Sequence, residues 1–139
     1  MTPSPDELRD LLRRARTIAV VGLSPKPIRP SHSVARYLQR AGYRIVPVNP
    51  GHAEILGEKS YPSLTEAARD HTIDIVDVFR RSENAGPVVD EAIALRPGPQ
   101  LIWLQQGVVD EAAQARARAA GIPFMMDHCL AVEHNHLEV

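Results

Sequence analysis

The residues best suited to binding chemistry lie in a short loop between Gly22 and Ser31, directly after the apolar residues 18–21. The apolar run predicts an inner strand of a parallel sheet, because such strands are buried on both faces. Gly22 permits a tight turn at the end of this strand. Lys26 and Arg29 then add two positive charges before Ser31, which we expect to cap the next helix and leave its N–H groups facing a ligand. The loop predicts a phosphate site; the alternative is an ordinary strand-to-helix turn with solvated charges.

This loop departs from the dinucleotide-binding pattern G-x-G-x-x-G. Ser24 stands where that pattern has its second glycine, and the next predicted strand ends in Asn49 and Pro50 rather than in an acidic residue. Because an acidic residue at that place binds the ribose hydroxyls of NAD, its absence disfavours NAD. Positively charged side chains in place of that acidic residue suit a ligand with an additional phosphate on its ribose, as in coenzyme A (CoA) and NADP.

A second basic motif follows a later apolar strand, where Phe79 precedes Arg80 and Arg81. If a short edge strand before it is counted, this strand is the fourth. In a Rossmann-type order the ligand crevice lies between the first and fourth strands, so the two arginines would face Lys26 and Arg29 across it. Phe79 could stack on a purine while the guanidinium groups bind phosphate. The alternative is a core phenylalanine followed by two solvated arginines.

The elements around these motifs alternate between helix and strand. Helices are predicted at residues 5–16, 34–41, 64–70, 87–95 and 111–120, and strands at residues 18–21, 43–48, 59–61, 73–79, 101–104 and 123–126. Ser4 with Glu7, and Ser63 with Glu66, have the capping-box spacing that marks helix starts. Alternation with short connections predicts parallel strands joined by right-handed crossovers. We expect one α/β domain over residues 1–139, a three-layer doubly wound Rossmann-type fold with a mostly parallel sheet of five to six strands.

Composition limits the kinds of partner. The chain has 139 residues with 16 basic and 17 acidic side chains, a formal net charge of -1. This balance predicts neither nucleic-acid nor anionic-membrane binding. Residues 3–16 are charged and no apolar run is long enough to span a membrane, so we expect no secretory signal and no membrane segment. With Cys129 as the single cysteine, we expect a cytoplasmic protein.

Six short motifs lie in order along the chain, at residues 21–27, 29–31, 48–50, 77–81 (D-V-F-R-R), 103–108 (W-L-Q-Q-G-V) and 126–129 (M-D-H-C). Together they resemble the small stand-alone CoA-binding protein family, over residues 17–133. That family is similar in fold to the CoA-binding domain of the succinyl-CoA synthetase α subunit, a Rossmann-type domain that holds CoA across its strand ends. The resemblance implies that the chain binds CoA or an acyl-CoA, with any protein partner unknown.

The resemblance also implies which residues bind each part of the ligand. The residues that match the phosphate-holding loop are Gly22, Ser24, Lys26 and Arg29. The turn beside the nucleotide corresponds to Asn49 and Pro50. The adenine and 3′-phosphate side corresponds to Phe79, Arg80 and Arg81. The strand end near the pantetheine arm corresponds to Trp103, Gln105 and Gly107, although Trp103 fits equally a core residue facing a helix.

The resemblance implies no reaction, because the synthetase's reaction centre lies in segments beyond its CoA-binding domain. Asp127, His128 and Cys129 include the residue types of a thiol nucleophile and its base, but sequence neighbours point in different directions, so we expect no catalytic residue. The predicted function is a non-catalytic binding or carrier module. The alternatives are an NADP-dependent oxidoreductase and a redox sensor in which Cys129 forms a mixed disulfide with CoA.

The carboxyl-terminal residues include side chains that bind zinc in other proteins. They are Cys129, Glu133, His134 and His136. Their spacing matches no established ligand pattern well, and an exposed, frayed terminus explains them more simply. We therefore predict no metal site.

Overall fold

The structure is a computed structural model that describes residues 2–139. Strands and helices alternate along these residues, as predicted. The strands are β1 (Thr17–Val21), β2 (Arg44–Val48), β3 (Glu54–Ile55), β4 (Glu58–Lys59), β5 (Ile75–Val78), β6 (Leu101–Leu104) and β7 (Phe124–Met125). The helices are α1 (Pro5–Arg14), α2 (Pro30–Arg40), α3 (Leu64–Asp70), α4 (Ser82–Ala94), α5 (Glu111–Ala119) and α6 (Leu130–His136).

Five strands form one parallel sheet in the order β2-β1-β5-β6-β7. From β1 the chain goes to β2 and then crosses back to β5 on the other side of β1, so the strand order reverses between β1 and β5. Ligands of doubly wound folds bind beyond the carboxyl ends of the strands at such a reversal. The predicted α/β fold of the Rossmann type is confirmed.

The edge strand predicted at residues 59–61 does not belong to this sheet. Lys59 ends β4, which pairs antiparallel with β3 in a separate two-stranded sheet. Tyr61 forms an isolated parallel bridge to Val48. The ladder stops there because Ser63, two residues later, already caps α3 with a side-chain oxygen that accepts from the Glu66 N–H.

Apolar side chains cover both faces of the sheet, which gives the three predicted layers. On one face, Ala19 and Val76 belong to a buried core shared with α3, α4 and α5. On the other face, Ile18 and Ile75 belong to a core shared with α1, α2 and α6. Strands buried on both faces form a rigid platform for the loops that follow them.

Helix starts agree with the prediction where a side chain caps the helix. Ser4 and Glu7 form the predicted capping box at the start of α1. The prediction for α2 is wrong, because Arg29 is the N-cap and Ser31 lies inside the first turn. Pro30 occupies the first helical position, which suits a residue with fixed φ and no N–H. The proline sets the helix start, and the serine hydroxyl is left for another partner.

Two further helices differ from the sequence prediction. Helix α4 begins at Ser82 rather than at Pro87, which lies inside it. Pro87 lies beyond the first four N–H groups of the helix, so it removes one intrahelical hydrogen bond, and burial of Ala85, Gly86 and Val89 around it offsets this cost. The tail that was expected to fray forms α6, whose Leu130 and His134 are buried.

Candidate functional site

A cleft of about 730 Å³ lies beyond the carboxyl ends of the parallel strands. Its walls come from the loops that follow β1, β2, β5, β6 and β7. Nine of the twelve predicted site residues line it, namely Gly22, Ser24, Lys26, Arg29, Asn49, Phe79, Arg80, Arg81 and Gln105. The other three, Pro50, Trp103 and Gly107, are not among the described residues that line it.

Gly22 brings the ends of β1 and β5 together. Its φ of +88° lies in the left-handed region, and a methyl group on its Cα would overlap the carbonyl oxygen of Phe79. The Gly22 N–H donates to the Val48 carbonyl (2.9 Å), and the Phe79 N–H donates to the Val21 carbonyl (2.8 Å). Both the conformation and the close approach require glycine. The predicted phosphate loop and the predicted arginine motif therefore share one corner of the cleft.

The loop between β1 and α2 is held by its own serines. The Ser24 N–H donates to Ser31 Oγ (3.0 Å), and the Lys26 N–H donates to Ser24 Oγ (3.1 Å). The N-cap residue Arg29 makes no side-chain hydrogen bond to the helix. Because no side chain caps it, the positive N-terminal end of this 11-residue helix remains open to an anion.

Four cationic side chains converge on the cleft, and no carboxylate is among its described lining residues. Lys26 and Arg29 come from the loop after β1, and Arg80 and Arg81 from the loop after β5. Within residues 2–139 none of the four forms an ion pair. Cations without acidic partners raise the local potential. The cleft is therefore positive although the formal net charge of the chain is -1.

Asn49 and His52 form the side of the cleft that follows β2. The Asn49 side-chain amide donates to the Leu23 carbonyl (2.7 Å), which ties the end of β2 to the loop after β1. Pro50 is exposed beside them. Sequence reasoning missed His52, although it lies in the loop that follows β2 and the rule that ligands bind beyond strand ends could have identified it.

Gln105 joins the floor of the cleft to a buried carboxyl group. Its side chain lines the cleft but is only 4% exposed, and its Nε2 donates to Asp77 Oδ1 (2.8 Å). Asp77 is fully buried in β5, and burial raises the pKa of this carboxyl to about 7, although the hydrogen bond from Gln105 opposes the shift. Asp77 lay within a motif that the sequence singled out, but its burial depends on the fold.

Trp103 and Gly107 have structural contacts in this part of the sheet. Trp103 is fully buried, and its indole N–H donates to the His128 carbonyl (2.8 Å). Of the two roles left open for Trp103, the structure therefore places it in the core. The Gly107 N–H donates to Asp127 Oδ1 (2.7 Å), which holds the loop after β6 against the loop after β7.

Cys129 lies in the wall of the cleft at the start of α6, where its side chain is half-buried. Gln106 and Val108 line the same side, and sequence reasoning did not select either of them. Both lie in the loop that follows β6, so the rule that ligands bind beyond strand ends could have identified them. This side of the cleft contains no charged residue among those described.

The remaining carboxyl-terminal side chains have contacts within the fold. His134 Nδ1 lies 2.9 Å from the Tyr37 hydroxyl, and His128 Nδ1 lies 3.8 Å from Glu133 Oε1. In the described part of the chain no three His, Cys, Asp or Glu side chains are grouped so that they could hold a metal ion. None of the helices described is both long and apolar enough to cross a membrane.

Comparison with known proteins agrees with this arrangement. The chain is 46% identical over 132 residues, 95% of each chain, to "Uncharacterized protein YneT" of Bacillus subtilis. It is similar to a solved hypothetical protein from Pyrococcus horikoshii OT3, with 34% identity, a TM-score of 0.91, and coverage of 99% of this chain and 94% of the other. A dinucleotide-forming acetyl-coenzyme A synthetase of Ca. Korarchaeum cryptofilum shares the fold at 23% identity and a TM-score of 0.72, covering 86% of this chain and 28% of that one. Residues 16–135 match the family described as "CoA binding domain", and the chain belongs to that family.

Proposed function

We propose that the chain binds CoA or an acyl-CoA in the cleft and acts as a non-catalytic binding or carrier module, in the cytoplasm. The observation that carries the proposal is the set of four cations that form no ion pair within residues 2–139, in a cleft whose described lining has no carboxylate. CoA has a pyrophosphate and a separate 3′-phosphate, and it therefore needs positive charge at two places. The cleft volume of about 730 Å³ lies within the usual range of ligand sites, about 300 to 1,000 Å³.

The two pairs of cations fit the two phosphate groups. Lys26 and Arg29 lie beside the N-terminus of α2, where a pyrophosphate would also meet the helix dipole. Arg80 and Arg81 follow β5 and would bind the 3′-phosphate. Phe79 packs partly against the core and partly lines the cleft, so its ring is available to the adenine.

The uncharged side of the cleft fits the pantetheine arm. Gln105 and Val108 follow β6, and Cys129 follows β7. Neighbouring strands are about 4.8 Å apart, so these loops continue the cleft by roughly 10 Å beyond the end of β5. An extended arm with amide groups matches a wall made of an amide, an apolar side chain and a thiol.

The contacts near Cys129 support a binding role rather than catalysis. Asp127 accepts a hydrogen bond from the Gly107 N–H, and His128 Nδ1 lies near Glu133. Neither is hydrogen-bonded to the Cys129 thiol in the described part of the chain, so no base is in place to activate it.

A thermal-shift panel with CoA, NADP and NAD tests the proposal and its NADP alternative. CoA at a hundredfold excess over its dissociation constant should add about 2.7 kcal/mol, or roughly 5 to 10 °C in melting temperature. The double variant Arg29→Ala/Arg80→Ala should lose most of this shift. No shift with millimolar CoA would contradict the proposal, and a larger response to NADP than to CoA would favour the oxidoreductase.

A second candidate function, a thiol-redox sensor, is favoured by the position of Cys129 in the cleft wall. The Cys129 thiolate would attack CoA disulfide, form a protein–CoA mixed disulfide and release one CoA thiolate. Intact-mass measurement after incubation with CoA disulfide should show an adduct of one CoA. The candidate fails if no adduct forms, or if Cys129→Ser acquires one.

A further inference from the structure

Asp77 is a buried carboxyl group with one hydrogen-bonded partner in the described part of the chain. Its side chain has no exposed surface, and its Oδ1 accepts from Gln105 Nε2 at 2.8 Å. Its Oδ2 is buried without a partner within residues 2–139. Within residues 2–139 neither a cation nor a hydroxyl group is hydrogen-bonded to this carboxyl group, so its side-chain contact with a polar partner among them is the one with Gln105.

The surroundings of Asp77 are apolar. In the sheet it is paired with Val20 on β1 and Trp103 on β6, both fully buried. A carboxyl group in such surroundings costs stability compared with an apolar side chain of similar size. Packing in the core therefore does not explain why this position has a carboxyl group. Its contact with the cleft residue Gln105 points to a role in the cleft instead.

Asp77 determines which end of the Gln105 amide is free. An amide has an NH₂ group that donates and a carbonyl oxygen that accepts, whereas an ionised carboxylate only accepts. One N–H of the Gln105 NH₂ group donates to Asp77, which fixes the orientation of the amide and leaves its carbonyl oxygen Oε1 available to a ligand. Gln105 lines the uncharged side of the cleft, where that oxygen would meet a hydrogen-bond donor.

We propose that Asp77 is a positioning residue that holds the Gln105 amide so that its Oε1 accepts a hydrogen bond from an amide N–H of the pantetheine arm. The inference rests on the proposed binding of CoA and adds a recognised group to it. This arrangement of Asp77 and Gln105 makes the uncharged side of the cleft selective for ligands that have a hydrogen-bond donor in the arm. An unpositioned amide could turn and offer its NH₂ group instead, which an amide N–H cannot meet.

The test compares CoA with adenosine 3′-phosphate 5′-diphosphate, which is CoA without its pantetheine arm. Dissociation constants are measured by calorimetry at about pH 8. This pH lies above the pKa of Asp77, which is about 7, so its carboxylate is mostly ionised and accepts hydrogen bonds without donating any. Gln105→Met, close in size to glutamine, should weaken CoA about 5- to 10-fold, the scale of one hydrogen bond. It should leave the affinity for the armless nucleotide unchanged.

Asp77 variants separate positioning from a merely structural role. Asp77→Leu should weaken CoA several-fold without affecting the armless nucleotide, because the amide is no longer held. Asp77→Asn keeps an oxygen that can accept from Gln105, so it should retain most of the wild-type ratio between the two dissociation constants. The double variant Asp77→Leu/Gln105→Met should be no weaker for CoA than Gln105→Met alone, because both changes remove one interaction.

The outcomes distinguish this inference from the proposed function. If wild-type protein binds neither ligand, the proposed function fails. If it binds both and Asp77→Leu leaves the ratio of dissociation constants unchanged, CoA binding stands and the positioning role is overturned. Should Asp77→Leu not fold, as judged by circular dichroism, Asp77→Ser replaces it, since a serine side chain is too short to reach Gln105.

Discussion

Arg80 and Arg81 are the residues that should distinguish CoA from a ligand without its 3′-phosphate. If they bind that phosphate, CoA should bind more tightly than dephospho-CoA by about 1.5 to 3 kcal/mol, the scale of a charge-assisted hydrogen bond. Arg80→Ala and Arg81→Ala should each reduce the preference. Lys26→Ala and Arg29→Ala should instead weaken both ligands alike, because the pyrophosphate is common to them.

Calorimetric titration of each variant with the two ligands measures this preference. Arg118→Ala is the matched control, because Arg118 is exposed on α5 and outside the described lining of the cleft. It should change neither dissociation constant. Full retention of the preference in both Arg80→Ala and Arg81→Ala would show that these arginines do not contact the 3′-phosphate.

Asp77 gives stability an unusual dependence on pH. Burial raises its pKa from 3.8 to about 7 in the fold, so between about pH 4 and 7 the folded chain binds this proton more strongly than the unfolded chain. The stabilisation that comes from this stronger proton binding is therefore fully present below pH 4, and it is lost as pH rises to 7. Asp77→Asn has no such ionisation.

Urea unfolding of both proteins from about pH 4 to 7 tests this sign. The stability of the wild type minus that of Asp77→Asn should fall with rising pH, by on the order of 2 to 4 kcal/mol. Glu7 and Asp70, whose pKa values are lowered by hydrogen bonds from Ser4 and Tyr61 respectively, act in the opposite sense. Their contributions are the same in the wild type and in Asp77→Asn, so they cancel when the two stabilities are subtracted. A difference that stays constant with pH contradicts the assignment to Asp77.

Among the structural elements, the loop from β1 to α2 depends on Gly22. Gly121 is a matched control, since its φ of +75° is also left-handed but nothing lies within 4 Å of an added Cβ. Gly121→Ala should lower the free energy of unfolding by about 1 to 2 kcal/mol from backbone strain alone. Gly22→Ala should cost a further 1 to 3 kcal/mol, roughly, because its methyl group overlaps the Phe79 carbonyl.

Chemical denaturation measures both costs, and a CoA titration of the folded variants adds a second readout. Only Gly22→Ala should weaken CoA binding, because of the two glycines only Gly22 lines the cleft, in the corner where we propose that the phosphates bind. Equal losses of stability in the two variants would mean that the ends of β1 and β5 do not meet as described.

Local patterns predicted the elements whose ends are set by adjacent side chains. Ser4 and Ser63 cap α1 and α3 as their spacing indicated. Helix α4 could not be placed from sequence, because Pro87 signals a helix start, whereas burial of residues on either side of it decides the outcome. Helix α6 was missed for a similar reason: its polar second half, residues 133–136, hides the fact that Leu130 and His134 are buried.

In the molecule as a whole, the strand order determines where the cleft lies, and this could be predicted. Alternating elements place the ends of β1 and β5 side by side, which is why the loops of Lys26 and Arg80 were expected to meet and do line one cleft. The contact between Gln105 and Asp77 depends on side-chain packing. No spacing along the chain contains that information.

A crystal structure of the protein with CoA tests most directly whether CoA occupies this cleft. We expect density for one CoA beyond the strand ends, with its pyrophosphate at Lys26 and Arg29 and its arm beside Gln105. The 3′-phosphate should lie within hydrogen-bond distance of Arg80 or Arg81. CoA bound elsewhere on the surface, or a cleft left without ligand at saturating CoA, would contradict the proposed binding site.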